Sequence, residues 1–549
     1  MLAIPRRVAR VATAGLLVAL ALAGCSSPQG PSVTATPSGR ASPTPTGPAV
    51  PGGADDPAAR AAALVKELDD AELVGQVLMP SVSMSDPGAA DIVRSYKLGG
   101  VILMGDVQDT GAGGSAGQVR AYTDRLREAA GDRVRFLVGT DQEYGWVTRI
   151  KSGVVQLPSA MAFGAARKPD LTEAAWRGAG AELAAAGIDI DFAPDADVIG
   201  SAGNFIIGSR SYGSDPAGVS GQVAAAVRGL QSAGVAASVK HFPGHGHTTV
   251  DSHTGLPVLR QSMSQLTAND LPPFQAGIDA GVWMVMAGHL DVRAVDPGVP
   301  ATFSRKVLVD LLRQRMRFQG VVVSDALNMS PARKYPPGEA AVRSLVAGVD
   351  LLLMPPDLTA ARAGLLNALN KNRLPRARLV EAATRVLTLK LRLDATQRPE
   401  VSTVGNAANR AAAFAAAVGA VTVLRGPCSG PLVRGSIRVT ASAGRTRQVT
   451  WLTDALRRNG VTVVSTGGQR VHLVGYGDGS DDLVSGAAAT VAMDTPYVLR
   501  SASSPVRVAT YSSTQVAMEA LAAVIAGKAA APGRSPVAVT GLPRSACQV

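Results

Sequence analysis

The sequence predicts an α/β protein in which a (β/α)8 TIM-type barrel is followed by a smaller α/β sandwich domain. From Pro57 to about Leu393, short apolar runs of strand length alternate with amphipathic stretches of helical length, which is the pattern of βα repeats. From about Gln397 to Val549, further apolar runs alternate with Ala-rich stretches such as Asn406–Val418. The second region therefore predicts a separate layered α/β domain.

Eight apolar runs of the first region are candidate strands, and helical segments such as Leu171–Ala186 and Val219–Ala233 lie between them. The eight runs are Gln76–Met79, Gly100–Met104, Phe136–Thr140, Ile188–Ala193, Ala236–Lys240, Val282–Ala287, Val321–Ser324 and Leu351–Met354. Eight βα repeats match a closed barrel. Six runs of the second region are candidate strands too: Ala420–Leu424, Ile437–Val439, Val461–Val464, Val471–Val474, Thr490–Met493 and Val506–Tyr511.

These patterns divide the chain into four segments. Residues 1–25 form an export signal, residues 26–56 a flexible tether, residues 57–396 the barrel and residues 397–549 the sandwich domain. The tether is predicted because its Pro, Ser, Thr, Gly and Ala residues cannot bury enough apolar surface to fold.

The export signal has the features of a bacterial lipoprotein signal. Three arginines precede the apolar run Val11–Ala23, which is too short to span a bilayer as a stable helix. The run ends in Leu22-Ala-Gly-Cys25, which resembles a lipobox, so Cys25 is expected to be lipidated and to become the mature N-terminus. The alternative is an ordinary cleavable signal with a chance cysteine. Acyl chains on Cys25 would hold the exported protein on the outer face of the cytoplasmic membrane.

The composition favours some partners over others. The net charge is +12, which suits work among anionic wall polymers or near anionic lipid. Aromatic residues make up only 4% of the chain, and no basic stretch is interleaved with them, so no nucleic acid partner is expected. In an oxidising compartment the two remaining cysteines, Cys428 and Cys547, could form one disulfide.

Four of the six histidines lie in the stretch from Lys240 to His253, which reads KHFPGHGHTTVDSH. The apolar run before it predicts a buried strand, so Lys240 and His241 leave the end of that strand together. The following residues are too rich in Gly, Thr and Ser to be helical, which places Asp251 and His253 on a loop. Loops after strands carry the chemistry of barrel enzymes.

Less specific interpretations of this stretch remain. His245 and His247 are better explained as structural residues that bond loop backbone. A zinc site is disfavoured because the chain has no His-Glu-x-x-His helix, so no metal is expected. Asp251 and His253 could be a pair that only holds the loop, and their spacing fits this as well as it fits catalysis.

Polar residues follow five of the predicted barrel strands. A barrel gathers the ends of its strands around one cavity, so these side chains are expected to converge. They are Asp141 after the third strand, Asp195, Asp197 and Arg210 after the fourth, Lys240 and His241 at the fifth, His289 after the sixth and Asp325 at the seventh.

Carboxylates combined with Lys, Arg and His suit a polyhydroxylated substrate, because charge-assisted hydrogen bonds fix hydroxyl groups in place. The chain has no Gly-rich phosphate loop, no Gly-x-Ser-x-Gly elbow and no paired cysteine motif. Hydrolysis of a glycosidic bond needs a carboxylate nucleophile and a proton donor. Asp325 could be the nucleophile, and His253, oriented by Asp251, could be the donor.

The Lys240–His253 motif resembles the signature of the family 3 glycoside hydrolases, in the β-N-acetylglucosaminidase branch. GTDQE around Asp141, GSRSYG around Arg210 and FQGVVVSDALNM around Asp325 match the family's other motifs in order. The resemblance implies that Asp325 is the nucleophile and that Asp251 and His253 supply the acid/base. It also implies that five residues bind sugar: Asp141, Arg149, Arg210, Lys240 and His241.

The resemblance implies a retaining exo-β-N-acetylglucosaminidase without a cofactor, acting on GlcNAc-terminated wall fragments or muropeptides. The alternatives are a β-glucosidase or a GlcNAc phosphorylase on the same scaffold, or a catalytically silent wall-binding lipoprotein. One departure affects the leaving-group side of the pocket. Tyr144-Gly-Trp146 stands where the family has two glycines and an arginine. Trp146 could be a platform on which a sugar stacks, or simply a packed residue.

Overall fold

A computed structural model of the chain describes residues 56–104 and 116–547. The predicted export signal, the lipidation site Cys25 and all but the last residue of the predicted tether lie outside the described residues. Among the residues that are described, no helix is both long enough and apolar enough to cross a membrane.

Eight parallel strands form a closed barrel, so the predicted (β/α)8 fold is confirmed. In chain order the strands are β1 (Leu78–Met79 and Ser81–Val82), β2 (Gly100–Leu103), β3 (Leu137–Thr140), β4 (Ile190–Asp191), β5 (Ala236–Phe242), β6 (Met284–Ala287), β7 (Val321–Ser324) and β8 (Leu352–Leu353). Pro80 divides β1, whose first half pairs with β8 and whose second half pairs with β2. A parallel bridge between Val323 and Leu351 joins β7 to β8 and closes the ring.

The strands are shorter than most of the predicted runs. Gln76 and Val77, which were predicted to start the first strand, instead end the helix Asp70–Val77. The N-terminus of that helix is stabilised by a capping box of Asp69 and Glu72. Each of these side chains accepts a hydrogen bond from the other residue's backbone N–H. The predicted strand Ile188–Ala193 is reduced to Ile190–Asp191. The apolar runs are longer than the strands because residues beyond the ends of the strands are also buried.

Each strand is followed by one or two helices that surround the barrel. In chain order these are Ala89–Ser95, Ala116–Ala130, Ala160–Ala166 with Pro169–Ala185, Pro216–Ser232, Met263–Asn269 with Leu271–Asp279, the π-type helix Lys306–Arg315, Pro337–Ala347, and Leu358–Asn370 with Arg376–Asp394. Pro57–Leu64 and Asp70–Val77 precede the first strand.

The barrel interior is a packed apolar core. One cluster joins side chains from all eight strands, among them Met79, Ile102 and Val323, with Val386 and Leu389 of the last barrel helix. Lys390 of the same helix is fully buried, and its Nζ donates a hydrogen bond of 2.6 Å to Oε1 of Gln76. Because this interior is filled, a substrate must bind at one end of the barrel.

The second domain is built on a five-stranded sheet. Its strands are β9 (Thr422–Arg425), β10 (Ile437–Ala441), β11 (Gln469–Val474), β12 (Ala489–Ala492) and β13 (Val506–Ala509). Their spatial order is β9-β13-β12-β11-β10, and only β9 is antiparallel to its neighbour. The predicted strand Val461–Val464 is wrong, because this segment contributes only a single bridge between Val463 and Ile437.

This sheet is sandwiched between its own helices and the barrel. Val423, Leu473 and Val508 pack on one face against the helices Thr446–Arg458 and Gln515–Ile525. Alternate residues of the same strands pack on the other face against the barrel helix Ala160–Ala166. The helix Ala407–Ala420 precedes the sheet. Cys428 and Cys547 form a disulfide with a Cα–Cα distance of 5.3 Å, so the two cysteines that the sequence left open do meet.

Candidate active site

A cavity of about 300 Å³ lies at the C-terminal ends of the barrel strands. Seven of the eight residues predicted for the site line it: Asp141, Arg149, Arg210, Lys240, His241, His253 and Asp325. The eighth, Asp251, contacts the site through His253. Of the eight polar residues expected to converge from the strand ends, five line the cavity, whereas Asp195, Asp197 and His289 are buried and do not line it. All of the lining residues lie between Met104 and Met354, so the described part of the second domain contributes none.

Asp325 directly follows β7 and is buried in the cavity wall. Its N–H donates to the carbonyl oxygen of Ala287 at the end of β6, at 2.9 Å, which continues the pairing of the two strands. Its Oδ1 accepts a hydrogen bond of 2.8 Å from the N–H of Ala326. The carboxylate is thus oriented by a strand end rather than by a mobile loop, as a nucleophile requires.

The surroundings keep Asp325 charged. Burial acts to raise the pKa of its carboxyl group, but His289, His241, the Ala326 N–H and Lys240 outweigh burial and hold the pKa below its usual value. A carboxylate that is ionised at neutral pH is available for nucleophilic attack.

His253 and Asp251 form a hydrogen-bonded pair on the loop after β5. Nδ1 of His253 lies 2.7 Å from Oδ1 of Asp251, which also accepts a 2.8 Å hydrogen bond from the His253 backbone N–H. A hydrogen on Nδ1 leaves Nε2 as the atom that can exchange a proton with substrate. The His253 side chain is 67% exposed, whereas Asp325 is buried. The proton-exchanging ring is therefore open to solvent, and the carboxylate is largely shielded from it.

The floor of the cavity is a network of buried opposite charges around Glu143. Arg210 donates to both carboxylate oxygens of Glu143, at 2.7 and 2.8 Å. Nζ of Lys240 lies 2.7 Å from Oε1 of Glu143 and 2.9 Å from Oδ1 of Asp141. Such fixed charge-assisted groups can hold sugar hydroxyls at set positions. Arg149 is more peripheral, with Nη2 at 3.7 Å from Oδ2 of Asp141.

Glu143 was not among the residues predicted to form the site. Burial acts to raise its pKa, but Arg210 and Lys240 outweigh burial and hold the pKa far below its usual value. Glu143 occupies the last position of the GTDQE motif, and this was the available signal. Gln142 of the same motif is buried, and its Oε1 accepts hydrogen bonds from the N–H groups of Arg149 and Ile150. It therefore sets the path of the loop that carries Arg149.

His241 is fixed by the carboxylates that follow β4. Its Nδ1 lies 2.8 Å from Oδ2 of Asp197, and Arg210 Nη2 lies 3.3 Å from its Nε2. Asp195, Asp197 and His241 are the one group of described residues close enough to share a cation. These groups already pair with one another, and Arg210 Nη2 lies 3.8 Å from Oδ2 of Asp195. Within the described part of the chain, Oδ2 of Asp195 has no hydrogen-bond partner, and burial together with the neighbouring Asp197 raises the pKa of the Asp195 carboxyl group well above its usual value.

The rings of the other two histidines of the motif pair with side chains rather than with the loop backbone that was predicted, and His245 also lines the cavity. Nδ1 of His245 pairs with Oγ1 of Thr248 at 3.0 Å, and Nδ1 of His247 pairs with Oδ1 of Asp270 at 2.8 Å. The glycine beside them is sterically required, because a Cβ on Gly246 would lie 1.9 Å from the carbonyl oxygen of Val198. The Gly-His-Gly-His sequence therefore serves the close packing of two loops.

The two unusual aromatic residues have different environments. Tyr144 is buried, and its ring meets the edge of Trp176 at 5.6 Å between centroids, so it packs in the core and does not line the cavity. Trp146 is 52% exposed and stacks on Tyr476 of the second domain, with centroids 4.1 Å apart and planes at 17°. The second domain thus reaches the rim of the site. It makes another contact there, in which the Ser209 hydroxyl donates to Oδ1 of Asp494 at 3.1 Å.

Comparisons with known proteins agree with this geometry. Residues 70–389 match the glycosyl hydrolase family 3 N terminal domain. Beta-hexosaminidase LpqI of Mycobacterium tuberculosis is 32% identical over 399 residues, which are 71% of this chain and 98% of that protein. Beta-hexosaminidase A of Pseudoalteromonas piscicida is 32% identical over 62% of this chain, and the match spans 61% of that relative's length.

A solved structure resembles both domains. The glycoside hydrolase family 3 beta-N-acetylglucosaminidase from Paenibacillus sp. str. FPU-7 superimposes with a TM-score of 0.78 at 30% identity, over 86% of this chain and 99% of that one.

Proposed function

This chain belongs to glycosyl hydrolase family 3, and from that membership we propose that it is a retaining exo-β-N-acetylglucosaminidase that removes terminal GlcNAc from wall-derived glycans or muropeptides. The observation that carries the proposal is the placement of an ionised, buried Asp325 and the Asp251–His253 pair at one cavity. A nucleophile and a separate proton donor are the two groups that a retaining glycosidase needs.

In the proposed reaction Asp325 attacks the anomeric carbon and forms a covalent glycosyl–enzyme intermediate. His253 donates a proton from Nε2 to the departing oxygen and then removes a proton from the water that releases the sugar. Asp251 holds the ring through Nδ1 and stabilises the imidazolium form. Lys240, Arg210 and Asp141 are proposed to bind the hydroxyl groups of the terminal sugar.

The size of the cavity supports action on chain ends. At about 300 Å³ it is at the lower limit of the range typical of ligand pockets, which suits one sugar residue rather than an extended chain. Ion-paired charged side chains line the floor of the cavity, which suits binding of the terminal sugar of a chain.

A β-glucosidase is the first alternative, and the origin of the cavity lining disfavours it. Relatives of that kind usually take their acid/base from a glutamate in the second domain. Within residues 56–104 and 116–547, all of the lining residues belong to the barrel, and the loop after β5 already carries a proton donor.

The test uses chromogenic β-glycosides of GlcNAc and glucose, each with and without phosphate. We expect turnover of the GlcNAc compound, free GlcNAc as the product in both buffers, and the β-anomer as the first product seen by NMR. GlcNAc 1-phosphate as the main product would indicate a phosphorylase, and faster turnover of the glucoside would indicate a β-glucosidase. No turnover of either compound would indicate a silent wall-binding protein.

We also propose that the mature enzyme is exported and anchored by acyl chains on Cys25 to the outer face of the cytoplasmic membrane, where wall fragments are available. The lipobox-like sequence before Cys25 and the tether of residues 26–56 support this proposal.

A further inference from the structure

Large apolar side chains are exposed at the rim of the cavity. In the described part of the chain, five large hydrophobic residues are exposed, and three of them, Trp146, Phe205 and Val250, lie on loops that also line the cavity. Each is only one or two positions from a lining residue. Exposed apolar groups concentrated around a pocket mark a binding surface.

Trp146 presents a flat surface at this rim. Its ring stacks in parallel on Tyr476, with 4.1 Å between centroids, so one face of the indole is covered. Because the side chain is still 52% exposed, the opposite face is accessible. An indole with one covered face and one open face is a rigid apolar platform.

The support behind the platform is held in place by the second domain. The carbonyl oxygen of Tyr476 accepts a 2.6 Å hydrogen bond from Nη2 of Arg445. The same Arg445 atom lies 3.1 Å from Oδ1 of Asp478, whose other oxygen accepts from the N–H of Gly475 at 2.6 Å. The loop is therefore ordered before substrate binds, which reduces the entropy lost on binding.

The platform and the proposed proton donor both lie at the exposed rim of the cavity. Trp146 is 52% exposed and directly precedes the lining residue Val147, and His253, which lines the same cavity, is 67% exposed. Asp251 is the partner of His253, the group that protonates the leaving oxygen in the proposed reaction. The departing part of the substrate must therefore pass this rim.

We propose that Trp146, backed by Tyr476, binds a sugar ring in the leaving group, so that the substrate is an oligosaccharide in which GlcNAc is attached to a second sugar. A pyranose ring has an apolar face of C–H groups that matches an open indole face, while its hydroxyls remain in water. The inference rests on the proposed function and adds the residue that selects a sugar as the leaving group. It accounts for Trp146, the exposed aromatic residue of the chain's Tyr144-Gly-Trp146 sequence.

The test compares two donors of the same sugar. One is the β-linked GlcNAc disaccharide, and the other is GlcNAc β-fluoride, which has no ring in its leaving group. Trp146→Ala should lower kcat/KM for the disaccharide by about five- to tenfold, the size of one aromatic contact, and should change that for the fluoride less than twofold. Trp146→Phe and Tyr476→Phe keep the stacked rings and should retain most of the disaccharide activity.

Phe414→Ala is the matched control, because Phe414 is an exposed aromatic (38%) on the helix Ala407–Ala420, which contributes no residue to the cavity. It should leave both donors unchanged. Equal losses on both donors in Trp146→Ala, or no loss on either, would overturn the stacking inference while leaving the proposed function intact. Loss on a GlcNAc-peptide conjugate but not on the disaccharide would assign the platform to a peptide and overturn the inference. Absence of wild-type turnover on both donors would overturn the proposed function, and the inference with it.

Discussion

Nδ1 of His253 lies 2.7 Å from Oδ1 of Asp251, and the same carboxylate oxygen accepts the backbone N–H of His253. This double contact fixes both the ring and the backbone of an exposed residue on a long loop. A carboxylate that accepts a hydrogen bond from Nδ1 leaves Nε2 as the ring nitrogen that can transfer a proton.

The pair predicts how activity depends on the leaving group. His253→Ala removes the proposed proton donor but leaves Asp325, so kcat/KM should fall most for substrates with a poor leaving group, such as a natural sugar, and least for an activated nitrophenyl glycoside. Azide should restore part of the turnover of the activated substrate by releasing the intermediate. Asp251→Asn should give a milder form of the same pattern. Equal losses on both kinds of substrate would mean that His253 only holds the loop.

Asp325→Ala should leave less than about 1% of wild-type turnover, because it removes the proposed nucleophile. Circular dichroism and the thermal midpoint should change little, since Asp325 lies at the cavity and not in the packed core. Asp310→Ala is a suitable control, because Asp310 is an exposed carboxylate on the preceding helix Lys306–Arg315. A folded Asp325→Ala protein with substantial activity would require another nucleophile.

Glu143→Gln should destabilise the fold as well as weaken sugar binding. Lys240 is buried and the Arg210 side chain is only 13% exposed, and both would lose a carboxylate that neutralises them, at a cost of about 3 kcal/mol in the free energy of unfolding. The folded-state pKa of Glu143 is depressed, so its contribution is fully present above the ordinary value of 4.5 and is lost as pH falls below it. Urea unfolding at neutral pH and in acid should therefore show a difference between variant and wild type that narrows in acid.

Lys390→Met should stabilise the protein at neutral pH. Burial lowers the pKa of Lys390 to about 7, whereas the unfolded value is 10.5. Between these values the unfolded chain binds the additional proton, so this residue costs stability that is recovered as pH rises. The thermal midpoint of Lys390→Met should exceed that of wild type at pH 7, and the difference should shrink toward pH 10. A difference independent of pH would mean that packing around Gln76 dominates the effect.

Cys25→Ser should move the protein out of the membrane fraction, because acylation requires the thiol sulfur. Cell fractionation and mass spectrometry of the mature N-terminus are the measurements. A wild-type N-terminus at any residue other than 25, or unchanged membrane association of the variant, would contradict the lipid anchor.

Much of the site was predictable because its residues lie at the ends of strands. The alternation of apolar and helical runs predicts a barrel, and a barrel gathers its strand ends, so Asp141, Lys240 and Asp325 were expected in one cavity and line it. The same local signal overestimated the strands. Buried residues extend beyond the hydrogen-bonded part of each strand. In addition, Gln76 and Val77, predicted to start the first strand, belong to the capped helix Asp70–Val77.

The sequence by itself determined the barrel, the second α/β layer and the set of charged residues at the site, since hydrophobic periodicity and motif spacing are local properties of the chain. Only the tertiary structure decided that Glu143 is the buried centre of the charge network, that Tyr144 is in the core and that Trp146 stacks on Tyr476. It likewise paired Cys428 with Cys547 across a separation of 119 residues. Periodicity reports whether a side chain is buried, but which distant side chain it meets depends on how the closed barrel and the second sheet pack together.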